Sequence, residues 1–211
     1  VGSLALDASN GNYLTGIGYA ALGANTTGDN NTACGRFSLG NNTTASNNSA
    51  FGYNALSANT TGNQNVAVGK NALTTNTTGA NNAAVGDRAL ESNTTGAKNT
   101  ALGGVALYAN TTADNNTAVG YNSLGANTTG TENVAVGAYA LDANTTGGQN
   151  NAFGYESLSA NTTASNNTGF GHRTLAVNTT GANNTAVGSH ALDANTDGDG
   201  NTAVGKHALT A

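Results

Sequence analysis

The chain contains no proline, methionine or tryptophan, a single cysteine, three histidines and few charged residues, 8% in all. These shortages close off whole classes of function. One thiol cannot build an intrachain disulfide framework, and Cys34 reads as a small buried hydrophobe. The net charge is −5 with the acidic residues scattered, so no basic face is on offer to nucleic acid. No apolar run is long enough to cross a bilayer as a helix, and no membrane insertion is expected of this segment. Low charge and abundant polar residues would suit a disordered chain. Disordered chains, however, seldom hold leucine, valine and alanine in strict columns, and this one does.

Twelve glycines fall 17 residues apart without a slip, from Gly18 and Gly35 through Gly137 to Gly205. Leucine follows each glycine by four residues, from Leu22 to Leu209, and asparagine by seven, from Asn25 to Asn195. A second asparagine column precedes the glycine by four residues, from Asn31 to Asn201; the first copy breaks it with Leu14. The whole of residues 1–211 is therefore one repetitive domain. Val1-Gly2 starts a first turn one residue short, and Leu209-Thr210-Ala211 stops inside a unit. Solenoids need atypical caps on their open ends, so a longer array is the expected source.

Repeat length selects the architecture. Helical-pair repeats need about 33 residues or more, and 17 are too few. One coil of a parallel β-solenoid, or β-roll, fits: two or three short strands joined by tight turns, each residue about 4.8 Å above its equivalent one coil below. The expected fold is all-β, twelve 17-residue coils plus a short first turn. A one-residue insertion would turn core side chains outward, which accounts for the fixed spacing.

Within the unit Asn133–Gln149, Val134-Ala135-Val136 alternates as a strand, with the alanine on one face and its neighbours on the other. The middle residue is alanine in every copy from Ala33 on, except Gly169. Leu141, the largest side chain kept in every copy, belongs in the core. Gly137 ends the strand at positive φ or at a close approach of chains. Asn144-Thr145-Thr146-Gly147 makes a turn; Ala45, Ala113 and Ala164 replace its glycine, so positive φ is not required there. The closing positions, held elsewhere by Lys98, Asp114, Glu132 and Ser165, are expected to face water. Both strand faces are apolar, and one of them is expected to meet another chain.

The segments Asn65-Val66-Ala67-Val68-Gly69 and Asn133–Gly137 resemble the N-S-V-A-I-G strand motif of trimeric autotransporter adhesin heads. The N-T-A-V-G and A-L-x-x-N-T-T-G units are similar to arrays in bacterial and phage tail-fibre proteins. The resemblance implies a parallel β-roll, three chains packed as a homotrimer and an adhesive or receptor-binding surface. Family units are more often about 14 to 16 residues long, and the first asparagine here lies one residue nearer the glycine.

No catalytic constellation is visible, and neither a metal nor a cofactor is expected; the chain reads as a non-enzyme. His190 and His207 share a column and their rings are placed to stack, with Asp193 as the one modest further ligand, but exposed variable positions explain them better. Calcium-binding solenoids need an aspartate in every turn, and none is kept in a column. Tyr19, Tyr53, Tyr121 and Tyr155 follow the glycine directly, interrupted by Arg36, Lys70, Asp87 and Ala138, and read as scattered surface tyrosines rather than a sugar-stacking strip. Ten N-T-T sequences match the glycosylation pattern, but an asparagine turn ladder is the preferred reading, since it also covers Asn195, where Thr196-Asp197 spoils the pattern.

The expected function is structural: the shaft or head of an extracellular fibre used for attachment, on a cell surface or a virion, self-associated as a homotrimer and facing a cell-surface or glycan receptor. The rival is an ice-binding solenoid with threonine ladders. Thr145 and Thr146 are adjacent, however, and in an extended segment would point to opposite faces, whereas a two-rank array calls for threonines two apart.

Overall fold

The computed structural model describes residues 2–210. Twelve strands of three residues each form one sheet: β1 (Thr15–Ile17), β2 (Thr32–Cys34), β3 (Ser49–Phe51), β4 (Val66–Val68), β5 (Ala83–Val85), β6 (Thr100–Leu102), β7 (Thr117–Val119), β8 (Val134–Val136), β9 (Asn151–Phe153), β10 (Thr168–Phe170), β11 (Thr185–Val187) and β12 (Thr202–Val204). They lie in chain order and every pair is parallel, with partners 17 residues apart, from Thr15 on Thr32 to Val187 on Val204. The chain is a β-solenoid of about eleven turns, and no helix occurs among the described residues. At about 4.8 Å per step the sheet is about 53 Å long.

Each coil carries one strand, not two or three. The cause is a set of left-handed residues that the spacing of the sequence does not reveal. In the coil that starts at Asn133, Tyr139 (φ 57°), Leu141 (φ 51°) and Gln149 (φ 59°) are all left-handed, and their equivalents recur along the stack. Left-handed residues cannot continue a strand, so the remaining walls of the coil are chains of turns. Those walls still bond coil to coil: Leu124 N–H donates to the Ala140 carbonyl at 3.0 Å, Thr128 N–H to Thr145 at 2.9 Å and Gln149 N–H to Thr131 at 3.0 Å. Non-glycine residues adopt this conformation at a cost of about 1–2 kcal/mol each. For leucine the return is burial: Leu22 through Leu175 in this column are fully buried, which contributes about 1.5–3 kcal/mol per side chain.

Strand alternation places the middle residue inside. Ala33, Ala50, Ala67, Ala84, Ala118, Ala135, Ala152 and Ala186 are fully buried and pack against the leucine column, while both neighbours of each face outward. Cys34 is one of those neighbours and lies half-buried on the outer face, not inside the coil as its small apolar side chain suggested. The coils approach closely behind Gly137, at φ 137°, where a Cβ would run into the Gly154 carbonyl of the next coil.

The two places where the inner column lacks alanine have local causes. In the short first turn, Leu6 reaches beneath β1, and a Cβ on Gly16 would lie 2.9 Å from its Cγ. In β10, Gly169 leaves room for two hydroxyls: Ser157 Oγ and Thr174 Oγ1 are 2.8 Å apart, and Ser157 donates to the Gly169 carbonyl at 3.1 Å. A Cβ there would sit 2.6 and 2.7 Å from those oxygens. Gly169→Ala is therefore expected to lower stability by about 1–3 kcal/mol through overpacking. Adding Ser157→Ala and Thr174→Ala should recover most of the loss, a coupling that urea denaturation of the single and combined variants measures.

Candidate interaction surfaces

The polar columns divide into those that hold the stack together and those left for contact with other molecules. Both asparagine columns belong to the first kind. Asn144 Nδ2 donates to Asn127 Oδ1 one coil back and to the Gly147 carbonyl, both at 2.9 Å. Asn133 Nδ2 donates to the same Gly147 carbonyl at 2.9 Å, and Asn133 Oδ1 accepts the Asn150 N–H at 3.0 Å. The two ladders meet at one carbonyl per coil. This closes the N-T-T-G turn through a side-chain amide, and neither Asn144 nor Gly147 has positive φ. All ten asparagines of the N-T-T sequences are fully buried, so their nitrogens are closed to glycosylation in the folded chain.

The threonines after Asn144 lie in a bend rather than in an extended segment. Thr145 is half-buried and its hydroxyl donates to the Thr162 carbonyl at 3.1 Å, whereas Thr146 is exposed. Of the closing positions, Lys98 and Glu132 do face water. The position before them does more: Asp114 Oδ1 accepts the Ala97 N–H at 2.7 Å and Ser165 Oγ the Gly148 N–H at 3.0 Å. Asp29, Ser46, Asn63 and Asp199 of that column likewise each accept a backbone N–H of the preceding coil.

Two surfaces remain for contact. The first is the outer face of the sheet. The third residue of every strand is apolar and at least partly exposed, from Ile17 (50%) and Phe51 (43%) through Leu102 (48%) to Phe170 (56%) and Val204 (72%). It is a continuous apolar row along the whole sheet, and Phe153 and Phe170 pack together in it at 5.4 Å between ring centres.

The second surface is the corner just after the glycine column. Here the residue two after the glycine donates its N–H to the carbonyl of the residue one after the glycine in the preceding coil, as Tyr139 does to Tyr121 at 3.0 Å. That offset lets two sequence columns feed one spatial row. Tyr139 fills the gap left by Ala138, and Tyr121, Tyr139, Tyr155, His172, His190 and His207 follow one another at 5.2–6.1 Å between ring centres. The tyrosines are thus part of a row that the single-column reading split apart. Near the other end Arg36 lies over Phe37 at 4.5 Å and within 5.8 Å of Tyr19 and Tyr53.

Beside the ring row, Tyr139, Asp142, Tyr155, Glu156 and Ser159 line a shallow cleft of about 440 Å³. Burial pushes the Asp142 carboxyl above the ordinary carboxylate range, and the charge of Glu156 adds to the shift. The same Glu156 carboxylate holds the Tyr155 phenol above its usual value. Aromatic rings beside carboxyls and a hydroxyl are equipped to bind hydroxyl-rich or cationic groups. Comparison with known proteins adds no assignment: no family model, curated protein or solved structure matches the chain.

Proposed function

We propose that this solenoid is a segment of the shaft or head of an extracellular attachment fibre, displayed on a cell surface or a virion and assembled from three copies of the chain. The apolar row on the outer face of the sheet carries the reading. Twelve outward apolar side chains over about 53 Å make a far longer exposed strip than an isolated soluble chain keeps. The number three comes from the likeness of the strand motif to trimeric adhesin heads. Contact along one strand face would leave the ring row and the cleft at Asp142 and Glu156 free for a receptor, with glycan hydroxyls the chemistry that the cleft suits. The chain acts in this reading as a rigid spacer and contact surface, without catalysis.

Replacing Phe153 and Phe170 together by lysine tests the assembly. Both side chains point away from the core, so far-UV circular dichroism should match that of the unaltered chain. Sedimentation should fall to the mass of one chain, because six lysines would crowd one trimer interface. If the double variant keeps the same oligomeric mass as the unaltered chain, the outer strand face is not the contact.

A further inference from the structure

All three histidines of the chain fall in three consecutive coils and in one spatial row, although they come from two sequence columns. His172 follows its glycine by one residue, and His190 and His207 follow theirs by two. His190 N–H donates to the His172 carbonyl at 2.9 Å, which brings the first two together. The ring centres of His172 and His190 are 5.3 Å apart, and those of His190 and His207 are 5.2 Å apart with planes 18° from parallel. Tyr155 stacks on the outer side of His172 at 5.5 Å. His172 and His207 are exposed and His190 half-buried, so the row is open to solvent.

Asp193 gives this row a direction. Its Oδ2 lies 2.9 Å from His190 Nδ1. A carboxylate only accepts, so Nδ1 carries a proton, and in the neutral ring the lone pair is on Nε2. Carboxylate to imidazole to metal is the arrangement by which proteins orient a histidine ligand and raise its basicity. No three acidic, histidine or cysteine side chains converge on a point among the described residues, so a site here has two protein ligands and completes its shell with water. An ion bound to imidazole sits about 2.0–2.1 Å from each nitrogen, which requires two nitrogens within about 4.2 Å of each other. The rings of His190 and His207 stand 5.2 Å apart on adjacent coils, and rotation of the exposed His207 side chain is the movement that would bring its nitrogen to this distance from His190 Nε2.

We propose that His190 and His207 bind one divalent first-row transition-metal ion such as Zn²⁺, Ni²⁺ or Cu²⁺, and that Asp193 positions His190 for it. Imidazole suits these ions, whereas Ca²⁺ and Mg²⁺ call for oxygen ligands. Of the nearby cations, Arg173 is drawn to Glu156 at 3.4 Å; Lys206 precedes His207 and is exposed. A bound ion would tie the coils of His190 and His207 together across their corner. This inference stands independently of the fibre reading, since it requires only the single folded chain.

The test is calorimetric titration of the full chain with NiCl₂ at pH 7.5. One ion per chain is expected. His190→Asn with His207→Asn should weaken binding at least tenfold, and Asp193→Ala by about tenfold. Asparagine already occupies the same column at Asn54, Asn71 and Asn122, with φ between 54° and 57°, so the double variant keeps a residue the backbone accepts, and circular dichroism confirms its fold. Asp193→Asn, which retains an oxygen acceptor for Nδ1, should recover part of the affinity that alanine loses. Electron paramagnetic resonance of the Cu²⁺-loaded chain should show coupling to at least two imidazole nitrogens. Equal affinity in the unaltered chain and the double variant, or a spectrum with oxygen ligands only, overturns the site.

Discussion

Asn144→Asp is expected to cost about 3–5 kcal/mol, the range for stranding a buried charge among unmatched partners. The amide it replaces donates twice, to Asn127 Oδ1 and to the Gly147 carbonyl, and accepts once from Asn161 Nδ2 at 3.0 Å. A carboxylate removes both donors, sets its oxygens against two other acceptors and keeps only the Asn161 contact. Thr146→Ala, two residues away at an exposed position, should stay within about 0.5 kcal/mol. The carboxyl pKa of the folded variant must lie above its unfolded value, because burial among acceptors favours the neutral form. The penalty is therefore absent below the ordinary carboxylate range, about pH 3.9, and grows as pH rises through it. Urea denaturation at pH 3.5 and pH 7 separates this charge effect from simple loss of packing. In a nearest-neighbour stack, a defect at this coil uncouples the coils on either side, so the transition should also broaden.

A second large effect distinguishes two glycine columns that look alike by contact alone. A Cβ on Gly137 would collide with the Gly154 carbonyl, and one on Gly147 with the Ala164 carbonyl. Crowding is thus common to both. Backbone conformation is not: Gly137 is at φ 137°, as its whole column is between 124° and 145°, whereas Gly147 is not at positive φ. Ala45, Ala113 and Ala164 occupy the second column, almost fully buried, so the coils yield there by a small shift. Gly137→Ala should therefore cost about 3 kcal/mol or more, the upper end for a residue held in a region open only to glycine. Gly147→Ala should cost under about 1 kcal/mol. Thermal melting of the two variants side by side gives the comparison, and equal losses would mean that space rather than φ governs both columns.

Much of this fold was legible in the residues because a stack repeats its constraints. The 17-residue spacing, the leucine column and the alternation of Val134-Ala135-Val136 give parallel coils, a leucine core and a two-faced strand, and all three are present. The choice of inner face was not legible, since alanine and valine are both apolar; the narrow space opposite Leu141 admits only the smaller. Nor was the single strand per coil. Leucine has no preference for the left-handed region, and its burial in the coil overrides a local cost that no sequence pattern marks. The surfaces followed the same division. A column read alone splits Tyr121 from Tyr155 and His172 from His190, and the one-residue offset of the corner hydrogen bonds joins them. Gly169 looked like a stray exception until Ser157 and Thr174, one from each of two coils, were seen to fill the space its missing methyl leaves.

The apolar row from Ile17 to Val204 is either an interface or a strip of wet hydrocarbon, and sedimentation equilibrium of the unaltered chain at micromolar concentration decides between them most directly. The trimeric fibre requires a mass near three times the 20.6 kDa of one chain, unchanged on dilution through the micromolar range. A stable, soluble species at the mass of a single chain would contradict it.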